Sequence, residues 1–67
     1  MKSYYRVVDK QNPFVAYFDF PSLSEARAFM SQKALDEMTH QIWFVTERDN
    51  GVDTEVVSYE KIMKGLQ

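Results

Sequence analysis

The chain contains no cysteine. That absence excludes a disulfide framework, a thiolate metal site and a cysteine nucleophile together. A secreted domain of 67 residues would ordinarily carry disulfide staples, so a reducing interior, the cytoplasm of a bacterium or of an infected host cell, is the expected setting. Glycine is scarce as well. Gly51 and Gly65 are the two glycines, which rules out a glycine-rich phosphate loop of the usual spacing. His40 is the single histidine. With no second His and no Cys there is no zinc-type ligand set, and no neighbouring residue forms a catalytic dyad with it. No stretch approaches the roughly 18 apolar residues of a membrane span. The start, Met1 to Arg6, carries charge early and no apolar run follows, so no secretory signal is expected.

Basic charge is the next shortage. Eight Lys and Arg face ten Asp and Glu, a formal charge of -2, and the basic residues are spread along the chain. A phosphate-backbone binder shows a basic surplus or stripe, so nucleic acid is a disfavoured partner.

What the chain does hold is aromatic and alternating. Aromatics make up 15% of residues, enough for a small core and an exposed contact surface. The length allows one domain, spanning residues 1–67, that buries roughly 60% of the surface of its unfolded chain. Ser3 to Asp9 reads as a strand, with Tyr5 and Val7 on one side and Tyr4, Arg6 and Val8 on the other. Lys10 to Pro13 reads as a turn, and Phe14 to Asp19 as a second strand forming an antiparallel hairpin with the first. Ser22, Leu23, Ser24 and Glu25 match a capping box: the Ser22 side chain accepts from the Glu25 N–H and the Glu25 side chain reaches back to the Ser22 N–H. Leu23, Ala26, Met30 and Ala34, flanked by Phe29, then recur at helical spacing, with an end between Lys33 and Met38. His40 to Glu47 and Val52 to Tyr59 read as a final hairpin. Asn50-Gly51 is its two-residue type I′ loop, pairing Val45 with Val56, Phe44 with Val57, Trp43 with Ser58 and Ile42 with Tyr59. Tyr59, Ile62, Met63 and Leu66 share one helical face, so a short C-terminal helix is expected. The expected fold is α+β: a four-stranded antiparallel sheet, β-β-α-β-β, with one main helix on one face.

Alternation then assigns two apolar faces. Tyr5, Val7, Phe14, Ala16, Phe18, Ile42, Phe44 and Val57 belong under the main helix. Tyr4, Val8, Val15, Tyr17, Trp43, Val45 and Val56 belong to the other face, where an antiparallel sheet would ordinarily be polar. Three fates compete for that second face: cover by the terminal helix, contact with another protein chain, or base stacking on Tyr4, Tyr17 and Trp43.

Catalytic constellations are missing from the sequence. Asp36 and Glu37 are helical neighbours that point apart, Ser22 is used in capping, and no GxSxG motif occurs. An enzymatic role, a metal and a cofactor are therefore not expected. The segment 47–60 is acidic, with Glu47, Asp49, Asp53, Glu55 and Glu60 against Arg48. Such a hairpin either guards an edge strand or steers the chain toward a basic partner.

The Tyr-rich first strand, the tight hairpin, the Pro21-Ser22-Leu23-Ser24-Glu25-Ala26 helix start and the final hairpin give a layout that resembles small phage-encoded or prophage-encoded proteins. The resemblance implies a non-enzymatic accessory protein that binds and blocks a larger one, and it carries no functional residues with it. The expected function is accordingly protein binding. Tyr4, Tyr17, Trp43 and Val45 are the expected contacts, and Glu47, Asp53 and Glu55 provide steering. A homodimer through the same face is the alternative.

Overall fold

The computed structural model describes residues 1–58. Their elements run β1 (Lys2–Asp9), β2 (Tyr17–Phe20), α1 (Leu23–Gln32), β3 (His40–Arg48) and β4 (Gly51–Val57). The strands form one four-stranded sheet of order β2-β1-β3-β4. Every neighbouring pair is antiparallel. The chain is thus an α+β fold with a single helix among the described residues. The C-terminal helix expected from Tyr59 to Leu66 lies outside them.

The first hairpin differs from expectation at its loop. Phe14 to Ala16 alternate like a strand, yet β2 begins only at Tyr17. Pro13 fixes φ in the helical range, and the Asn12 carbonyl accepts from both the Val15 and Ala16 N–H groups, at 3.1 and 2.9 Å. The result is one helical turn where a strand was expected. Asp9 anchors it: its carboxylate accepts from the Gln11 N–H at 2.9 Å, and its backbone N–H donates to the Ala16 carbonyl at 3.0 Å. Phe14, Val15 and Ala16 therefore leave the sheet, and Phe14 does not lie under the helix.

The start of α1 follows the capping signal. Ser22 is extended, and its Oγ accepts from the Glu25 N–H at 3.3 Å. The reciprocal half of the expected capping box differs: the Glu25 carboxylate accepts from the Ser22 hydroxyl at 3.0 Å, not from the Ser22 N–H. The helix end is a Schellman motif. The Leu35 N–H donates to the Met30 carbonyl at 2.9 Å and the Ala34 N–H to the Ser31 carbonyl at 3.2 Å. Ala34 holds the left-handed position at φ 55° that glycine ordinarily fills, so it is exposed and outside the apolar stripe. Ala26 and Met30 are the buried residues of α1. Together with Val7, Ile42 and Val57 they form the core, with Tyr5, Phe20, Leu23, Phe29, Leu35 and Phe44 packed around it. Phe29 is the wedge between helix and β2, with its ring centroid 4.9 Å from Phe18 and 5.1 Å from Phe20. Each fully buried aliphatic side chain here contributes roughly 1.5–3 kcal/mol.

The second hairpin is slipped by two residues from the expected register. Arg48 pairs with Gly51, Phe44 with Glu55, Trp43 with Val56 and Ile42 with Val57. The loop is Asp49-Asn50, and Gly51 is the first residue of β4. Neither Asp49 nor Asn50 has a positive φ, so the turn is not type I′. Gly51 carries the unusual conformation itself, at φ +150°, where a side chain is poorly tolerated. A slip of two preserves every face assignment, because side chains alternate with period two.

Candidate protein-contact face

The face opposite α1 is built in rows across the sheet. One row runs Asp19, Arg6, Trp43, Val56 and the next Tyr4, Val45, Thr54. Tyr17, Val8 and Gln41 form a third row at the loop end, and Lys2, Glu47 and Val52 a fourth at the other end. Val8 and Val45, on the two central strands, have no exposed surface. Around them the large side chains contact one another.

Arg6 organises the middle. Its guanidinium meets Asp19 through two hydrogen bonds, Nε to Oδ1 at 2.7 Å and Nη2 to Oδ2 at 3.2 Å, and donates to the Tyr4 hydroxyl at 3.2 Å. The same group stacks over the Tyr17 ring, 4.1 Å from its centroid, and lies 5.4 Å from that of Tyr4. The bond to Asp19 raises the Arg6 pKa above its ordinary value, against the opposing effect of desolvation. The Tyr4 phenol is also pushed up, first by desolvation and then by the Glu47 carboxylate beside it, while Arg6 pulls the other way. This fork-and-stack arrangement fixes side chains that would otherwise be free to rotate.

Trp43 is half-buried and donates through Nε1 to the Gln41 side-chain oxygen at 2.7 Å. Phe14 packs edge-on against it, with ring centroids 6.1 Å apart. Phe14 is nevertheless 80% exposed, Val56 56% and Tyr17 40%. Aromatic and aliphatic surface thus gathers at the loop end, and charge at the other end, where Lys2, Asp19 and Glu47 border a hollow of about 270 Å³ with Tyr4 and Phe20.

Of the residues singled out in the sequence, Tyr4, Tyr17, Trp43, Val45 and Glu47 share this face. Val45 supports it from beneath, having no exposed area to offer a partner. Asp53 and Glu55 do not share it. They pair with Thr46 and Phe44 and so project toward the helix side of the edge strand. Asp53 there pairs with Arg48 at 2.6 Å. Phe14 was missed as a member of the face, and only Asn12-Pro13, read as the start of a helical turn, could have signalled it. The role of Arg6 was readable from its opposite charge to Asp19 across a hairpin.

The helix side carries a separate groove of about 380 Å³, with Val7, Phe18, Phe29 and Leu35 as its apolar lining and Asp9, Lys33 and His40 as its polar residues. Two of its polar groups are engaged locally: Asp9 holds the Gln11 N–H, and His40 Nδ1 lies 2.8 Å from the Thr39 hydroxyl. Among the described residues no three His, Cys, Asp or Glu side chains cluster as metal ligands, and no helix is long and apolar enough to cross a membrane. No family model, curated protein or solved structure matches the chain in comparison with known proteins.

Proposed function

We propose that this chain is a non-enzymatic protein-binding domain, acting as an inhibitor or modulator of the phage type by occupying a surface on a larger partner. The contact is the loop end of the face opposite α1. The observation that carries this reading is the exposure of Phe14 and Val56 beside the half-buried Trp43. Large exposed apolar side chains gathered around an aromatic anchor are the usual composition of an interface centre. The Arg6–Asp19–Tyr17 assembly supports the same reading, because a prelocked polar rim loses less entropy on binding. Base stacking is less well served, since one side of the Tyr17 ring is already taken by Arg6.

The test compares three tagged chains as bait in a bacterial lysate: the native sequence, Phe14→Ser combined with Val56→Ser, and the control Met38→Ser, which alters an exposed residue in the connection between α1 and β3. A species retained by the native and control chains and lost with the double variant is the expected result. Equal retention by all three, or none above background, would sink the proposal. Sedimentation velocity at several concentrations separates the alternative of a homodimer through this face.

A further inference from the structure

The two edges of the sheet are not alike. β2 is four residues long and bounded by the helical turn on one side and Pro21 on the other. β4 is seven residues long, runs in unbroken register from Gly51 to Val57, and contains no proline, lysine or bulge. Among the described residues no strand pairs with its outer side. An edge strand directs the N–H and C=O of alternate residues outward, and proteins normally blunt such a row. Among the described residues the blunting is by charge, through Asp53 and Glu55, with Val52 60% and Val56 56% exposed on the opposite side of the strand.

That pattern discriminates between occupants. Two copies of β4 joined antiparallel about Thr54 would place Asp53 opposite Glu55 twice. Shifting the register by one step either way would place Asp53 against Asp53 or Glu55 against Glu55. Like charges directly opposite destabilise a strand pair. A strand with Lys or Arg at those positions, and apolar residues opposite Val52 and Val56, would gain on both sides of the sheet. We propose that the outer edge of β4 receives an extended segment of a partner protein in which basic and apolar residues alternate, and that the same acidic pair closes this edge to a second copy of the chain. The inference rests on the reading of the chain as a protein-binding domain and adds the chemistry of what it binds. Asp53 is shared with Arg48, so Glu55, which makes no ion pair among the described residues, carries the larger part of the selectivity.

The probe is a capped peptide, Ser-Val-Lys-Thr-Lys-Val-Ser, titrated into the full chain while backbone amide shifts are followed by NMR. Two companion peptides accompany it: one with Glu in place of both Lys, and one with the Lys residues retained but N-methyl groups on alternate amides. The Lys peptide is expected to shift amides from Val52 to Val57, and the Glu peptide to bind about tenfold more weakly or worse. N-methylation is expected to abolish the shifts. Glu55→Lys, an exposed substitution, is expected to reverse the preference between the Lys and Glu peptides. The proposal is overturned if β4 amides do not respond at millimolar peptide, if the two charge versions bind alike, or if the N-methylated peptide binds as well. It is equally overturned by a concentration-dependent dimer of the native chain with newly protected β4 amides. Failure here with Phe14-dependent capture intact would remove the edge and leave the face. Failure of the capture with selective β4 shifts intact would do the reverse.

Discussion

The two faces of this sheet are made by the same two central strands and solved differently. Val7 and Ile42 point to one side, Val8 and Val45 to the other, and all four are fully buried. On the first side a separate element supplies the cover, with Ala26 and Met30 of α1 set over the strands and Phe29 wedged against β2. On the second side the ring around the valines is drawn from the sheet and its loop: Tyr4, Arg6, Tyr17, Trp43 and Phe14, tied by a guanidinium fork and ring contacts. A helix buries its partners and presents a polar back to solvent. A layer made of the sheet's own side chains leaves aromatic surface exposed, at Phe14 and Tyr17. The difference leaves Phe14 and Val56 exposed on the face opposite the helix, without calling on any unusual residue.

Removing one central side chain from each face tests that contrast most severely. Ile42→Ala is expected to lower unfolding free energy by about 3 kcal/mol. Val45→Ala is expected to cost less, about 1.5 kcal/mol, because fewer methyl groups are withdrawn. Urea unfolding of the full chain measures both, and a neutral Val45→Ala would show the second face to be loosely packed. A smaller change sharpens the helix side. Ala34→Gly relieves a left-handed conformation that an alanine adopts at a cost, and is expected to raise stability by about 0.5–1 kcal/mol, net of the greater freedom of glycine in the unfolded chain. Loss of stability instead would mean that the Schellman turn is not maintained in solution.

The smallest effect is electrostatic and belongs to the second face. The folded pKa of Tyr4 is raised, so the folded state favours the protonated phenol. The associated stability is fully present below the ordinary phenol value of about 10 and is lost as pH climbs from there through the raised folded value. Tyr4→Phe is expected to remove this part of the alkaline loss. Glu47→Gln is expected to bring the phenol back toward its ordinary value, read from phenolate absorbance. An unchanged titration in Glu47→Gln would remove the carboxylate as a cause.

Much of this arrangement is legible without coordinates, and the exceptions have physical reasons. The face assignments of β1 and β3 follow from alternation, since a buried residue on each side leaves little freedom of register. Ser22 and Glu25 mark the start of α1 because capping is a local interaction. Its end escapes notice because Ala34 stands where glycine is usual. The β3–β4 register escapes the sequence reading because Asn50-Gly51 is a strong hairpin signal, and because both registers put the same residues on each face although they pair them differently. Gly51 uses its freedom at the first position of the strand rather than in the loop. Tyr4, Tyr17 and Trp43 are assigned to a common face by parity alone. Phe14 is not, since Asn12-Pro13 begins a helical turn inside a segment whose alternation reads as extended.

The strand order has a kinetic consequence. Each hairpin closes over a short stretch of chain, whereas β1 and β3 meet along a seam that joins Lys2 to Glu47 and Asp9 to His40. Forming that seam requires the long intervening loop to be closed before its ladder gives any return. The hairpins 2–20 and 40–57 pair locally, so their encounter, the most non-local step, is the one expected to limit the rate of assembly.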